Sequence, residues 1–174
     1  MDKELIIENS LERLLAFALF LAIALLAPII FHHQFLTGPI VNAVLFLSTF
    51  FLGPYYGALI GLLPSGVALA TGLLPLVLWP MIGFIMLSNS LLVFIFSVLR
   101  KKDFWLAVIL SSLAKFAFLY GSSFVVLRWF LDLKLSRAVS QMTGLNQLYT
   151  ALLGGLISFL VLKTLKLYKE KNGR

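Results

Sequence analysis

The sequence has 174 residues and contains no cysteine, and no Asp, Glu, Lys or Arg occurs from Leu14 to Leu99. The absence of cysteine excludes disulfides, thiolate metal sites and a cysteine nucleophile. The helices and strands of a soluble domain need charged faces, so the charge-free stretch cannot belong to one. Because one crossing of the hydrocarbon core needs about 20 apolar residues, the stretch holds roughly four membrane crossings.

Composition predicts an integral membrane protein. The hydrophobic fraction is 61% and the mean hydropathy is +1.03, far above the values of soluble domains. The apolar runs are continuous rather than alternating, which disfavours a β-barrel. We therefore predict an all-α bundle that forms a single transmembrane domain over residues 1–174, with no room for a second domain.

Six membrane-spanning helices fit the apolar runs. We predict spans at 14–31, 40–52, 55–71, 81–99, 104–127 and 144–162. A polar loop at 32–39 separates the first two spans, Gly53-Pro54 forms the next turn, and an amphipathic segment at 128–142 precedes the last span. Span 40–52 is short, which predicts a tilt or a loop that dips into the membrane.

The basic residues orient these spans. Most of the 14 Lys and Arg residues lie before the first span, at Arg100-Lys101-Lys102, or after the last span. Cytoplasmic loops carry an excess of such residues, so we expect both termini inside the cell. The net charge of +7 is accordingly assigned to orientation and contact with lipid headgroups, and no nucleic-acid partner is predicted.

Lys115 is the only charged residue within a predicted span. A charge at the centre of a membrane helix costs about 2.5–3.5 kcal/mol on insertion scales, so such residues usually face the bundle interior and have a partner. No predicted span contains an acidic residue. Lys115 is therefore either neutral, or solvated by carbonyls, hydroxyls and water, or paired with a ligand, and we favour the ligand.

Further polar and aromatic residues lie near the predicted outer ends of the spans. Aromatic faces combined with amide donors suit a flat heteroaromatic ligand. The candidate ligand-binding residues are Lys115, Asn89, Trp79, Tyr120, Asn146, Gln147, Tyr149, His32, His33, Gln34 and Asn42. For Asn89 an interhelical hydrogen bond is an equal alternative, and for Trp79 a place in the interfacial aromatic belt is another.

Chemistry that needs a metal or a catalytic pair is not favoured. Adjacent histidines on an extended loop point apart, and neither Cys nor a carboxylate is close to His32-His33, so a metal site there is the weaker interpretation. Ser65-Gly66 resembles an intramembrane serine protease motif, but no later helix holds the required histidine. We predict no catalysis, no cofactor and no metal, and we keep two alternatives: a small intramembrane enzyme acting on lipid or prenyl substrates, and a stand-alone transporter or channel.

Small residues recur at a spacing of four. Gly53, Gly57 and Gly61 lie on one helix face, where they allow close packing within the bundle. Ala18 and Ala22 form a similar pair in the first span. This pair predicts a flat outer face for a partner helix.

These patterns together resemble the substrate-binding S components of energy-coupling factor vitamin transporters. The first span has Ala18-Leu-Phe-Leu-Ala22, similar to the alanine motif of that family. Gly38-Pro39 followed by the stretch 51–61 resembles the second and third helices. The stretch from Pro80 through Arg100 is similar to a subgroup described as iron-hydrogenase related. The resemblance covers nearly the whole chain.

The resemblance implies a division of labour between subunits in the cell membrane. The chain would capture a vitamin or related micronutrient at its outer end, and Ala18 and Ala22 would face a transmembrane coupling subunit that works with two cytoplasmic ATPases. We expect Lys115 to meet an anionic or carbonyl group of the ligand. Asn89 and Asn146 would orient the ligand. Trp79 and Tyr120 would stack on the ligand. His32, His33 and Gln34 would lie on the lid over it.

Overall fold

The computed structural model describes residues 7, 9–31, 33–129, 139 and 143–172, and nearly all of these are helical. The helices are α1 (Ser10–Ile30), α2 (Gln34–Leu52), α3 (Pro54–Leu62), α4 (Pro64–Ala70), α5 (Ile82–Leu99), α6 (Phe104–Trp129) and α7 (Leu145–Asn172), with a 3-10 helix at Leu76–Met81. No strand occurs among the described residues. The all-α class is therefore confirmed for the described part of the chain.

Five helical stretches are long and apolar enough to cross a membrane, which indicates a multi-pass membrane protein. They are Ser10–Ile30, Gln34–Leu52, Leu78–Leu99, Phe104–Val126 and Leu145–Lys166. The span predicted at 55–71 corresponds to a shorter apolar stretch, Pro54–Ala70, which comprises α3 and α4. The amphipathic segment predicted at 128–142 lies mostly outside the described residues.

Pro64 divides the stretch that was predicted as one helix. Proline has no N–H, and its ring clashes with the carbonyl four residues earlier, so a helix breaks there. α3 ends at Leu62, and the carbonyl of Leu63 accepts the N–H groups of Gly66 and Val67 at 3.1 and 3.2 Å. The span predicted at 55–71 therefore consists of two helices, α3 and α4, that meet at Pro64.

The prediction of a polar loop at 32–39 is wrong, because α2 begins at Gln34. The carbonyl of His33 accepts the N–H of Thr37 at 3.1 Å, which closes the first helical turn. Pro39 is the sixth residue of α2, so its missing N–H leaves only the carbonyl of Phe35, in the first turn, without a helical partner. α2 is consequently 19 residues long and needs neither the tilt nor the dipping loop expected for a short span.

α2 lies at the centre of the bundle and α1 lies at its edge. α2 packs against α1, α3, α5 and α7, and most of its residues are buried. In α1, by contrast, the buried residues are Ala24, Ala27 and Pro28. Most of the α1 surface therefore faces outward.

The turn between α5 and α6, Arg100–Asp103, closes one end of the bundle, which we call the turn end. The Arg100 guanidinium donates from Nη1 to the carbonyl of Phe50 at 2.8 Å and lies 5.0 Å from the centre of the Phe50 ring. That carbonyl is among the last of α2, which have no partner within the helix. Partial burial lowers the pKa of Arg100 from its usual value, although an arginine remains charged.

Aromatic side chains fill the core at the turn end. The rings of Phe46 and Phe96 are 4.8 Å apart between centroids and meet edge to face, and Phe104 lies 5.7 Å from Phe96. Phe159 of α7 lies 5.7 Å from Phe104. These rings join α2, α5, α6 and α7 into one packed cluster.

Glycines allow α3 to lie close against its neighbours. A Cβ atom on Gly61 would come within 3.0 Å of the Asn89 Cβ and 3.3 Å of Leu45 Cδ2. Gly57 faces Thr49 of α2 and a valine of α5 in the same way. The two glycines therefore pack inside the bundle, and α3 runs alongside both α2 and α5.

Candidate functional site

A cavity of about 160 Å³ lies inside the bundle. Polar side chains and one glycine line part of its wall: Gln34, Thr37, Gly38, Asn42, Ser65, Asn89, Lys115 and Gln147. The apolar part of the wall consists of Val41, Pro64, Ala68, Leu73, Leu74, Pro75, Leu78 and Ile85. An apolar chamber with a few converging polar groups is the usual form of a small-molecule site.

The cavity lies toward the end of the bundle opposite the turn end. Its lining comes from the first half of α2, from α4 and the segment after it, from the first half of α5, and from the first turn of α7. Lys115 is near the middle of α6, so it forms the inner part of the wall. We call this end the cavity end.

Lys115 is buried, with 4% of its surface exposed, and it bonds to two asparagines. Its Nζ donates to Asn42 Oδ1 at 2.7 Å and to Asn89 Oδ1 at 2.8 Å. The three side chains come from α6, α2 and α5. Asn89 thus makes the interhelical contact considered from the sequence and also lines the cavity with Lys115.

Backbone carbonyls fix the orientation of both amide groups. Asn42 Nδ2 donates to the carbonyl of Gly38 at 2.9 Å, and Asn89 Nδ2 donates to the carbonyl of Gly61 at 2.8 Å. Rotating either amide by 180° would place its NH₂ group against the Lys115 ammonium and its oxygen against a carbonyl. The carbonyls therefore hold the two amide oxygens toward Nζ. We call these three side chains and two carbonyls the Lys115 network.

The break at Pro64 supplies one of these carbonyls. In an unbroken helix the Gly61 carbonyl would accept the N–H of Ser65. Because α3 ends at Leu62, that carbonyl is available to the Asn89 side chain. The helix break at Pro64 therefore provides one of the acceptors that orient the Lys115 network.

Gly154 supports the network from α7, and the sequence analysis missed it. A Cβ atom there would lie 2.6 Å from the Asn42 Cβ and 2.8 Å from the backbone nitrogen of Ala43. Only glycine allows α7 to approach α2 this closely. The Gly154-Gly155 dipeptide within an apolar run was the signal that could have indicated this contact.

Ser65 is another polar residue of the cavity wall. It is the second residue of α4, and 5% of its surface is exposed. Its hydroxyl has no hydrogen-bond partner among the described residues. A buried hydroxyl without a partner is unfavourable unless a bound molecule or water satisfies it.

The structure brings together five of the predicted ligand-binding residues: Lys115, Asn89, Asn42, Gln34 and Gln147 all line the cavity. Their role in binding remains a prediction. His32 lies outside the described residues.

The predicted aromatic residues lie elsewhere. Trp79 is 61% exposed and Tyr120 is 50% exposed, and neither lines the cavity. Tyr120 is five positions after Lys115, which places the two about 140° apart around α6. Trp79 and Tyr120 are therefore not in position to stack on a ligand held by Lys115.

His33 and two residues of α7 are also outside the cavity lining. His33 is exposed and lies 5.7 Å from the Phe35 ring. Tyr149 is two residues from Gln147, about 200° around the helix, so it faces outward and meets Phe35 instead. Asn146 is partly buried beside them. The expected ligand contacts of these three residues do not belong to this cavity.

The face predicted to meet a partner helix is accessible. Ala18 and Ala22 are exposed on α1, and larger apolar side chains such as Leu15, Leu19 and Leu26 are exposed beside them. The two alanines form a shallow apolar surface between these side chains.

The arrangement is suited to binding. In the described part of the chain no group of three or more His, Asp or Glu side chains is placed to hold a metal ion. The groups that line the cavity are an ammonium, amides and hydroxyls, which hold and orient a solute through hydrogen bonds.

Comparisons of this chain with family models, curated proteins and solved structures found no match.

Proposed function

We propose that this chain is the substrate-capture subunit of an importer of the energy-coupling factor type. It binds a vitamin or a related small micronutrient at the extracellular end of the bundle and delivers it inward. The observation that carries the proposal is the cavity with Lys115 at its inner wall, because an ionisable residue buried at membrane depth usually marks a substrate site.

The proposal includes six crossings with both termini in the cytoplasm of a plasma-membrane protein. The stretch Pro54–Ala70 is about 25 Å long at 1.5 Å per residue, and Gly57 and Gly61 hold it alongside α2 and α5. Excess basic charge favours the cytoplasmic side, which would put the turn end inside and the cavity end outside.

The energy source in this proposal is a partner. A transmembrane coupling subunit would dock on α1 at Ala18 and Ala22, and two cytoplasmic ATPases would complete the complex. Small side chains allow the close backbone approach on which helix association in membranes depends. Lipid would cover the remaining apolar surface.

The main test is whether purified protein retains a small molecule. Native mass spectrometry should find one solute bound to the unmodified chain and none, or at least about tenfold less, bound to Lys115→Met. Lys101→Met, at the turn end, is the matched control and should retain the solute. A retained lipid or prenyl compound would favour the enzyme alternative instead. Equal retention by Lys115→Met would remove the cavity from the proposal.

Topology is testable because the chain has no cysteine. A single cysteine at Leu76, which is 76% exposed at the cavity end, should react in intact cells with a membrane-impermeant maleimide. A cysteine at Lys101 should react only after the cells are opened. The opposite pattern would invert the proposed orientation, and labelling of both sites in intact cells would contradict six crossings.

Docking on α1 separates uptake from binding. Ala18→Trp places a bulky side chain on the proposed partner face and should abolish uptake in cells while solute retention stays unchanged. Leu106→Trp, on an exposed position of α6, is the control and should leave both unchanged. Uptake by the purified chain alone in vesicles would favour the stand-alone transporter.

A further inference from the structure

The charges around Lys115 are unbalanced. Its two hydrogen-bond acceptors, Asn42 and Asn89, are neutral amides, and none of the described residues that line the cavity is acidic. The bond lengths of 2.7 and 2.8 Å fall within the range of charge-assisted N–H···O bonds. Both amide oxygens point their partial negative charge at Nζ, which favours the ammonium form. The described part of the wall therefore offers an ammonium at Lys115 no counter-ion.

Two hydrogen-bond donors remain for a ligand. An ammonium has three N–H donors, and the two asparagine oxygens use two of those of Lys115. Ser65 also lines the cavity, and its buried hydroxyl has no partner among the described residues. Donors without acceptors in one cavity, one of them on an ammonium that has no counter-ion among the described residues, are the features that recognise an anion.

The apolar part of the wall limits the size and polarity of the ligand body that carries the anionic group. Leu74, Leu78 and Ile85 supply apolar surface across the cavity. A volume of about 160 Å³ is close to that of cavities of roughly 150 Å³ that hold benzene. The cavity therefore suits an apolar body of about one six-membered ring.

We infer that the substrate is a small monoanion, a carboxylate on an apolar body of about one ring, with its charged end at Lys115 and Ser65. The inference rests on the proposed function, since it assumes that this cavity is the substrate site. It adds that anionic charge is required for recognition and that the neutral analogue is rejected.

Matched probes test the charge requirement directly. Benzoate, benzamide and benzylamine share one ring and differ in the charge of the polar group. Calorimetric titration of the full-length protein in lipid nanodiscs should show benzoate binding about 10- to 100-fold more tightly than benzamide, with no binding of benzylamine. Equal or tighter binding of benzamide or benzylamine would overturn the inference.

Three variants test whether the Lys115 network and Ser65 cause the preference for a negatively charged ligand. In Lys115→Met the benzoate-to-benzamide ratio should fall to about one. In Asn42→Asp an internal carboxylate next to Lys115 replaces the ligand's charge, so benzoate should lose affinity by a similar factor. Thermal unfolding of this variant checks the fold, because its second carboxylate oxygen faces the Gly38 carbonyl. Ser65→Ala should weaken benzoate about three- to tenfold. Lys101→Met is the control and should match the unmodified chain. Persistence of the benzoate preference in Lys115→Met would overturn the inference.

The outcome also separates this inference from the proposed function. If the solute retained on purification is neutral or cationic and depends on Lys115, the monoanion assignment fails and the capture function stands. If no solute is retained and none of the three probes binds, both fail.

Discussion

The two ends of the bundle are built on different principles. At the turn end, Phe46, Phe96 and Phe104 meet ring to ring, and Arg100 holds the last turn of α2. At the cavity end the core is a smaller cluster that includes Leu78 and other aliphatic side chains, and the space beside it is open. The packing at the turn end fixes the relative positions of the helices. The cavity end can therefore remain hollow.

The contrast has an energetic reason. Helices in a membrane associate through close packing, because lipid is as apolar as the side chains themselves. The aromatic cluster supplies this packing. The cavity end forgoes such contacts and buries an amine, two amides and the Ser65 hydroxyl beside the open space, and such groups are tolerated only where each has a hydrogen-bond partner. The Lys115 network meets that condition, while the Ser65 hydroxyl does not.

The largest expected effect is on stability, and it comes from making the same Leu→Ala substitution at each end of the bundle. Leu92→Ala, at a fully buried position in the packed cluster, should lower the free energy of unfolding by about 2–5 kcal/mol. Leu78→Ala removes the same atoms from the cavity wall and should cost less, because it enlarges an existing space. Thermal unfolding followed by tryptophan fluorescence measures both. A greater loss in Leu78→Ala would mean that the two ends do not differ in this way.

A medium effect tests how α7 supports the network. Gly154→Ala places a methyl group against the α2 backbone at Asn42 and should destabilise the fold by about 1–3 kcal/mol. Displacing Asn42 from Lys115 should also reduce solute retention. Gly83→Ala is the control, since nothing lies within 4 Å of its added Cβ, and it should be neutral or stabilising by up to about 1 kcal/mol. Equal behaviour of the two variants would show that the close contact at Gly154 is unimportant.

The smallest effect concerns the turn end. Arg100→Gln removes the bond to the Phe50 carbonyl and the contact with its ring, and should destabilise the fold by about 1–2 kcal/mol. Solute retention should not change, because Arg100 is far from the cavity lining. Lys101→Gln, which lies in the same exposed turn, should have almost no effect on unfolding. A loss of retention in Arg100→Gln would indicate that the two ends are coupled.

Much of the fold could be predicted from local properties of the sequence. The length and continuity of the apolar runs predicted the helices, and Gly53-Pro54 and Arg100-Lys101 marked two of the turns. The errors arose at prolines. Pro64 breaks a helix because it lies in the interior, whereas Pro39 is tolerated near a helix start, and the residue type alone does not distinguish the two positions.

Less of the site could be predicted. Intramembrane polarity identified Lys115, Asn89 and Asn42 as candidates, but it did not show that they bond to one another. The aromatic residues were grouped with them by their position along the chain. Helical geometry separates Tyr120 from Lys115 by about 140° and so directs the tyrosine outward.

The sequence by itself determined that this is an all-helical chain suited to a membrane, because long apolar runs must satisfy their backbone hydrogen bonds internally. It also determined that no predicted span contains a carboxylate that could pair with Lys115. Only the tertiary structure decided which groups surround it. Asn42 lies 73 positions from Lys115 and Asn89 lies 26 positions from it, and packing of separate helices brings them within bonding distance. The helix break at Pro64 and the close approach of α7 at Gly154 fix the positions of Asn89 and Asn42, since both act through space rather than along the chain.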